Sequence, residues 1–384
     1  MRRVYITGIG QTPVREHWDR SARDLAASSI LQALEQAGID KADAIYVGNA
    51  LSGELTGQEH LAALIADFAG LTGTEAIRVE AAGASGGAAV RLGYLAVASG
   101  VHDTVLVTGV EKMSDLAGPA VEEALATSTD EEYEAIHGLS IAALHALLMR
   151  RYMHDYDLER RDFAHFSVNS HRNAVNNEYA MFRRPITVEA FEKARLVADP
   201  ISLLDSAPVA DGAATIVLCS DKAAGERANS SVEITGSALA TDAVALHDRP
   251  NPLFLRAVQE SAHKAYAQAG VTPKQIDIFE LHDAFAILAA LSLEASGLAP
   301  EGEGVRLAVE GEIALEGRIP ICTMGGQKAR GYPVGAAGVY QIVELVQQLR
   351  SEAGANQVDA RVGMAQSIGG TGATAVTHIL KSPE

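Results

Sequence analysis

Few side chains in this 384-residue sequence combine reactive chemistry with a setting that could use it. Gly83-Ala84-Ser85-Gly86-Gly87 follows a strand-like run and opens a helix-like one, so it satisfies the Gly-x-Ser-x-Gly pattern of a serine on a sharp strand-to-helix turn. Ser85 is then either a hydrolase nucleophile or simply the residue that starts a helix. His378, the late histidine a hydrolase would need, falls inside an apparent strand, which counts against that chemistry. Tyr332 lies in Gly331-Tyr332-Pro333 between glycine turns, where a phenol can serve as acid or base; otherwise it is a packed aromatic with a satisfied hydroxyl. His282 and Asp283 precede a helix-like segment and could be no more than a capping pair. Cys322, just before Gly325-Gly326, is a candidate thiol, although free cysteines are usually buried hydrophobes; Cys219 lies in an apolar strand and reads as core.

These residues have to be held by something, and the chain supplies a unit written twice. Gln36-Ala37-Gly38-Ile39 with Asp43-Ala44-Ile45-Tyr46-Val47 recurs as Gln268-Ala269-Gly270-Val271 with Asp277-Ile278-Phe279-Glu280-Leu281. The opening strand Val4-Tyr5-Ile6-Thr7-Gly8 is echoed by Val232-Glu233-Ile234-Thr235-Gly236, and Asp211-Gly212-Ala213-Ala214-Thr215-Ile216-Val217 by Gly372-Ala373-Thr374-Ala375-Val376. The matches keep the same order, so the halves run from 1 to 229 and from 230 to 384, each an alternation of strand and helix in an α/β fold. The first half is longer because residues 113–203 are inserted between its fourth and fifth strands. That insert has helical periodicity, as in Leu144-His145-Ala146-Leu147-Leu148-Met149, and reads as a lid. Glycine-rich turns at 83–87 and at 325–338 each precede a helix, where free N–H groups can receive an anion.

Composition bounds the function. With 48% hydrophobic and 21% charged residues the chain is a soluble globular protein. A net charge of −18 argues against nucleic acid or an anionic membrane as partner, since either needs a basic face. No signal peptide or membrane span is visible, and two widely separated cysteines fit the cytoplasm and offer no metal-ligand spacing. Basic residues do cluster in the insert, from Arg150 and Arg151 through Arg160, Arg161 and Arg172 to Arg183 and Arg184. They form either a solvated helix face or a site for a small polyanion.

Several ordered motifs together resemble the thiolase superfamily, over essentially the whole chain. Val79-Glu80-Ala81-Ala82-Gly83-Ala84-Ser85-Gly86-Gly87 is similar to the family's Val-Glu-Ala-Ala-Cys-Ala-Ser-Gly-Gly. Glu111-Lys112-Met113-Ser114-Asp115, Leu204 to Ala214, Glu280-Leu281-His282-Asp283-Ala284-Phe285, Gly325 to Gly335 and Gln366 to Gly372 resemble the remaining motifs in order. The His-Asp-x-Phe form points to the sterol-carrier-protein and archaeal branch. The resemblance implies a duplicated five-layer fold with a loop domain inserted in the first half and the site where the halves meet. It also implies a homodimer, a CoA thioester as substrate with no covalently bound cofactor, and a small zinc-ribbon and OB-fold protein as a partner.

The departures from the family matter as much. The position of the acylated cysteine is Gly83, that of its activating histidine is Tyr332, and that of the second acid/base cysteine is Ser367, an unactivated hydroxyl that reads as structural. What the resemblance leaves is an enolate-stabilising His282 and the N–H groups of Gly83 and Gly369 as an oxyanion pocket. The chain is thus similar to steroid side-chain retro-aldolases of the superfamily, with Tyr332 as phenolate base or phenol acid in the cleavage of a 3-hydroxyacyl-CoA. As a base at neutral pH, Tyr332 needs a lowered pKa or a proton relay. Arg172, Arg183 and Arg184 are the candidates for the CoA phosphates. An acetyl-CoA acetyltransferase with Gly83 as an altered nucleophile position, a non-catalytic acyl-CoA-binding subunit and a Ser85 hydrolase stand as alternatives.

Overall fold

The computed structural model describes residues 2–383. The opening apolar run forms β1 (Val4–Gln11), buried along its length. It is followed by β2 (Ala44–Gly48), β3 (Glu75–Val79), β4 (Thr104–Glu111), a small hairpin of β5 (Leu196–Ala198) and β6 (Ile201–Ser202), and β7 (Gly212–Ser220). The second half supplies β8 (Val232–Thr241), β9 (Ile278–Glu280), β10 (Val362–Gly369) and β11 (Thr374–Lys381). All but the hairpin join in one sheet, ordered β3-β2-β4-β7-β1-β8-β11-β10-β9.

On either side of the β1–β8 seam the order repeats for four strands, with β3 as an extra strand at one edge. β1-β7-β4-β2 and β8-β11-β10-β9 each pair antiparallel, antiparallel, then parallel. The segments that echo one another in sequence therefore occupy matching places: β1 with β8, β7 with β11, β2 with β9. At the seam, β1 and β8 share two paired positions, Tyr5 with Glu233 and Ile6 with Val232.

Helices complete five layers. Ala22–Ala37 covers β1 and β7 on one outer face, and Arg256–Ala269 covers β8 and β11 on the other. Between the two sides of the sheet lie Ser85–Ser99 and Ala337–Leu349, which pack on each other. Ala337–Leu349 is buried nearly all round and carries Glu344 in its middle, where the carboxylate has Arg330 Nε 3.0 Å away as its charged neighbour inside the core. The two central helices meet backbone to backbone. A Cβ on Gly86 would come within 2.8 Å of the Gly335 carbonyl oxygen, so only glycine permits this approach. It sets the turn before each helix, one from each half, side by side.

Between β4 and β7 the chain builds the helices Gly118–Ala126, Ile141–Tyr156, Ala164–Ala174 and Val188–Glu192 with the β5–β6 hairpin. Their apolar faces, among them Leu148, Met149, Phe163 and Phe166, share a core with Phe285, Ile287 and Leu288 of the second half. The segment thus packs across to the other half as a cover. No helix among the described residues is long and apolar enough to cross a membrane.

Candidate active site

Where the ends of the central helices meet, a cavity of about 250 Å³ opens, with Gly83, His282 and Tyr332 in its wall. Leu51, Met113, Ile141, Val209, Leu288 and Val334 make the rest largely apolar. Gly83 belongs to the short turn Ala82–Ala84 that leads into Ser85–Ser99, and the turn is tight enough to hold Ala82 at φ +50°. A side chain at Gly83 has nowhere to go. Its Cβ would lie 2.5 Å from the Ile368 carbonyl oxygen and would collide with the Tyr332 hydroxyl.

His282 follows β9, and its protonation can be read from its partners. The Ile368 N–H points at His282 Nδ1 at 3.3 Å, so Nδ1 accepts and Nε2 carries the hydrogen. Burial, then the neighbouring His145 and Arg330, push the His282 pKa down to about 3, so the ring is neutral at ordinary pH. Nε2–H faces the Tyr332 hydroxyl at 3.2 Å, with the rings edge to face at 5.4 Å. Asp283 fixes the loop rather than capping a helix: its N–H donates to Gln327 Oε1 at 2.9 Å, and the Gln327 N–H returns a bond to Asp283 Oδ1 at 2.6 Å. The helix at Ala286–Ala295 has Phe285 as its N-cap and no side-chain cap.

Glu111, at the end of β4, ties both halves to the site. Its buried carboxylate accepts N–H bonds from Ala50 at 2.9 Å, Leu51 at 3.1 Å and Gly335 at 2.8 Å, and a side-chain bond from Asn49 at 2.7 Å. Burial, and then the Glu111 carboxylate, push the Tyr332 pKa up. Of the two forms expected for Tyr332, phenolate base or phenol acid, these surroundings favour the phenol.

Both halves of the chain match family models, the thiolase N-terminal domain over residues 4–222 and the thiolase C-terminal domain-like family over residues 238–382. The chain belongs to the thiolase family. It is 45% identical over 382 residues to an acetyl-CoA acetyltransferase of Methanothermobacter thermautotrophicus, covering 99% of both chains. It is 30% identical to human sterol carrier protein 2 over 98% of its own length and 72% of the relative's. Among solved structures, an Ltp2-ChsH2(DUF35) aldolase superposes with a TM-score of 0.86 at 25% identity, covering 100% of this chain and 98% of that one. This protein is thus a thiolase-family acyl-CoA enzyme.

Within this thiolase-family site, the residues expected from sequence are sorted by the fold. Gly83, His282 and Tyr332 come together. Gly369, at the end of β10, packs against the Ala81 carbonyl, where a Cβ would lie at 2.5 Å, and its neighbour Gly370 lines the cavity. Ser367, at the family's second acid/base position, has its hydroxyl facing Gly87 of the central helix, because that side of β10 turns to the helix layer, and it does not line the cavity, in keeping with a structural role and against a catalytic one. The Ser85 hydrolase also fails on geometry. Ser85 Oγ donates to the Ala82 carbonyl at 2.6 Å and accepts the Ala81 N–H at 2.9 Å, while His378 Nε2 pairs with the Gly87 carbonyl at 3.1 Å. Arg183 and Arg184 share a surface depression with His171 and Phe182; Arg172 lies outside it, bonded to Asn169 Oδ1 at 3.0 Å.

No cysteine is among the residues lining the cavity. Cys219 is buried in β7 beside Thr7, and Cys322 is fully buried with its thiol pushed well up, by burial first. Sequence reading missed His145, which enters the cavity from the Ile141–Tyr156 helix and stacks on Phe285 at 4.1 Å. Its only signal was a histidine on an apolar helical face.

Proposed function

We propose that this protein makes or breaks a carbon–carbon bond beside a CoA thioester without an acyl-cysteine, by aldol chemistry on a 3-hydroxyacyl-CoA. The observation that carries this reading is the Tyr332 hydroxyl lying where a side chain on Gly83 would begin, in a cavity that no cysteine lines. Acyl transfer to the protein needs a nucleophile there; enolate chemistry needs donors, and two are present. In cleavage the C2–C3 electrons move onto the thioester oxygen, which receives hydrogen bonds from His282 Nε2–H and Tyr332 O–H. C3 becomes a ketone or aldehyde, the hydroxyl loses its proton, and C2 gains one. The apolar walls suit an apolar acyl group and keep water from the enolate. Arg183 and Arg184 are the proposed contacts for the CoA phosphates, with Arg172 dropped for its place outside their depression. The active form is proposed as a homodimer with a second subunit, since the similar aldolase pairs Ltp2 with ChsH2(DUF35).

A second reading is favoured by the acetyl-CoA acetyltransferase relative at 45% identity. It requires a nucleophile from outside the cavity wall as it stands. Product analysis by mass spectrometry separates the two. Purified protein is given branched 3-hydroxyacyl-CoAs, or 3-ketoacyl-CoAs with free CoA, each beside Tyr332→Phe. Ketone or aldehyde plus a shortened acyl-CoA from the first set, lost in the variant, supports aldol cleavage; thiolysis of the second set overturns it.

A further inference from the structure

We propose that His145 is the catalytic base for the substrate's 3-hydroxyl group. This rests on the aldol reading and completes it. His145 is 1% exposed, and its Nδ1 lies 2.7 Å from the Ile141 carbonyl oxygen. A carbonyl can only accept, so Nδ1 carries the hydrogen and Nε2 presents a bare lone pair. That Nε2 is sealed from solvent in the cavity wall and has no hydrogen-bond partner in the protein, so a substrate hydroxyl engages it by displacing the wall around it. An unsatisfied buried acceptor is a standing cost and calls for a ligand or a role. The ring cannot easily swing away to find one, since it stacks on Phe285 with the planes 15° apart. Burial pushes its pKa down to about 4, so the imidazole rests neutral with Nε2 able to accept a hydrogen bond, and taking a full proton requires the enolate charge forming beside it.

The two cavity histidines are therefore opposite tautomers. His282 Nε2–H and the Tyr332 hydroxyl are donors; His145 Nε2 is an acceptor. A 3-hydroxythioester carries the complement, a carbonyl that accepts and a hydroxyl that donates. In cleavage the hydroxyl proton passes to His145 Nε2 as C3 becomes a carbonyl and the C2–C3 pair becomes the enolate. The same proton is then returned to C2, leaving the ring neutral and consuming no other reactant.

The test measures binding and turnover of a 3-hydroxyacyl-CoA and binding of its 3-deoxy counterpart, in wild type, His145→Phe and His145→Gln. Wild type should prefer the hydroxylated ligand roughly three- to tenfold, the scale of one net hydrogen bond. His145→Phe should abolish that preference, keep affinity for the deoxy ligand, and slow cleavage by about 10²- to 10⁴-fold. A wild type without the preference, or a variant that keeps it, overturns the proposal. A preference that depends on His145 in a wild type that cleaves nothing overturns the aldol reading and the base role with it, leaving His145 as a hydroxyl-binding residue. Should the variants fail to fold, ¹⁵N NMR of histidine-labelled wild type decides. A shift of the His145 Nε2 resonance with the hydroxylated ligand only supports the proposal, and the same response to both ligands overturns it.

Discussion

Tyr332 and Gly83 are interlocked: the phenol oxygen fills the volume that any larger residue at 83 would claim, with the Ile368 carbonyl closing the other side. A side chain at 83 would collide with both the Tyr332 hydroxyl and the Ile368 carbonyl in this backbone. Tyr332 and the Ile368 carbonyl together leave room at position 83 for a glycine alone.

Gly83→Ala is therefore expected to destabilise the fold by about 1–3 kcal/mol through overpacking. Combining it with Tyr332→Phe, which removes the obstructing hydroxyl, should recover part of that loss, the Ile368 carbonyl accounting for the rest. Urea midpoints of the two single variants and the double variant measure the coupling; strict additivity would show that the hydroxyl does not hold the position.

Tyr332→Phe keeps the ring and deletes one donor to the enolate. Turnover of a 3-hydroxyacyl-CoA should drop by about 10²- to 10³-fold with little change in binding, since the lost interaction strengthens in the transition state. Steady-state kinetics beside calorimetric binding checks the split.

Iodoacetamide should leave native activity intact. Cys322 is 0% exposed, its thiol is pushed up by burial, and no cysteine lines the cavity. Cys322→Ala should likewise retain turnover. Rapid inactivation, with loss of activity in the alanine variant, would instead favour the acetyltransferase reading.

Buried neutral histidines give the protein an acid limit. Burial pushes His282 down to about 3, and His145, His171 and His378 to about 4. The unfolded chain binds these protons near pH ~6.5, so from there down to about 4 the unfolded state holds more protons and stability falls as pH drops. Each such group contributes about 1.4 kcal/mol per pH unit in that window. Glu280 and Glu344, raised by burial, act in the opposite sense, losing stability as pH rises above ~4.5. The comparison of His145→Phe with wild type isolates one histidine: its stability-versus-pH slope between pH 6.5 and 4 should be shallower by about one proton. Denaturant midpoints across that range provide the measurement.

Much of this architecture is written in the order of the chain. The repeats at Val4 and Val232, Asp43 and Asp277, and Asp211 and Gly372 foreshadow paired strands, because a strand's apolar pattern must match the layer it covers. Gly83, His282 and Tyr332 were legible too, each inside a run of family letters. Sequence could not determine which way a side chain on a known element turns. Ser367 sits inside a run of family letters, yet its hydroxyl faces the helix layer and not the cavity. Nor could it set protonation. His145 and His282 are the same residue type, and only their partners, a carbonyl for one and an N–H for the other, make them an acceptor and a donor. Those partners lie in the tertiary contacts: Ile368 is 86 residues from His282 along the chain, and Glu111 reaches Gly335 across 224. Charge state in a buried site depends on three-dimensional neighbours, which local patterning does not encode.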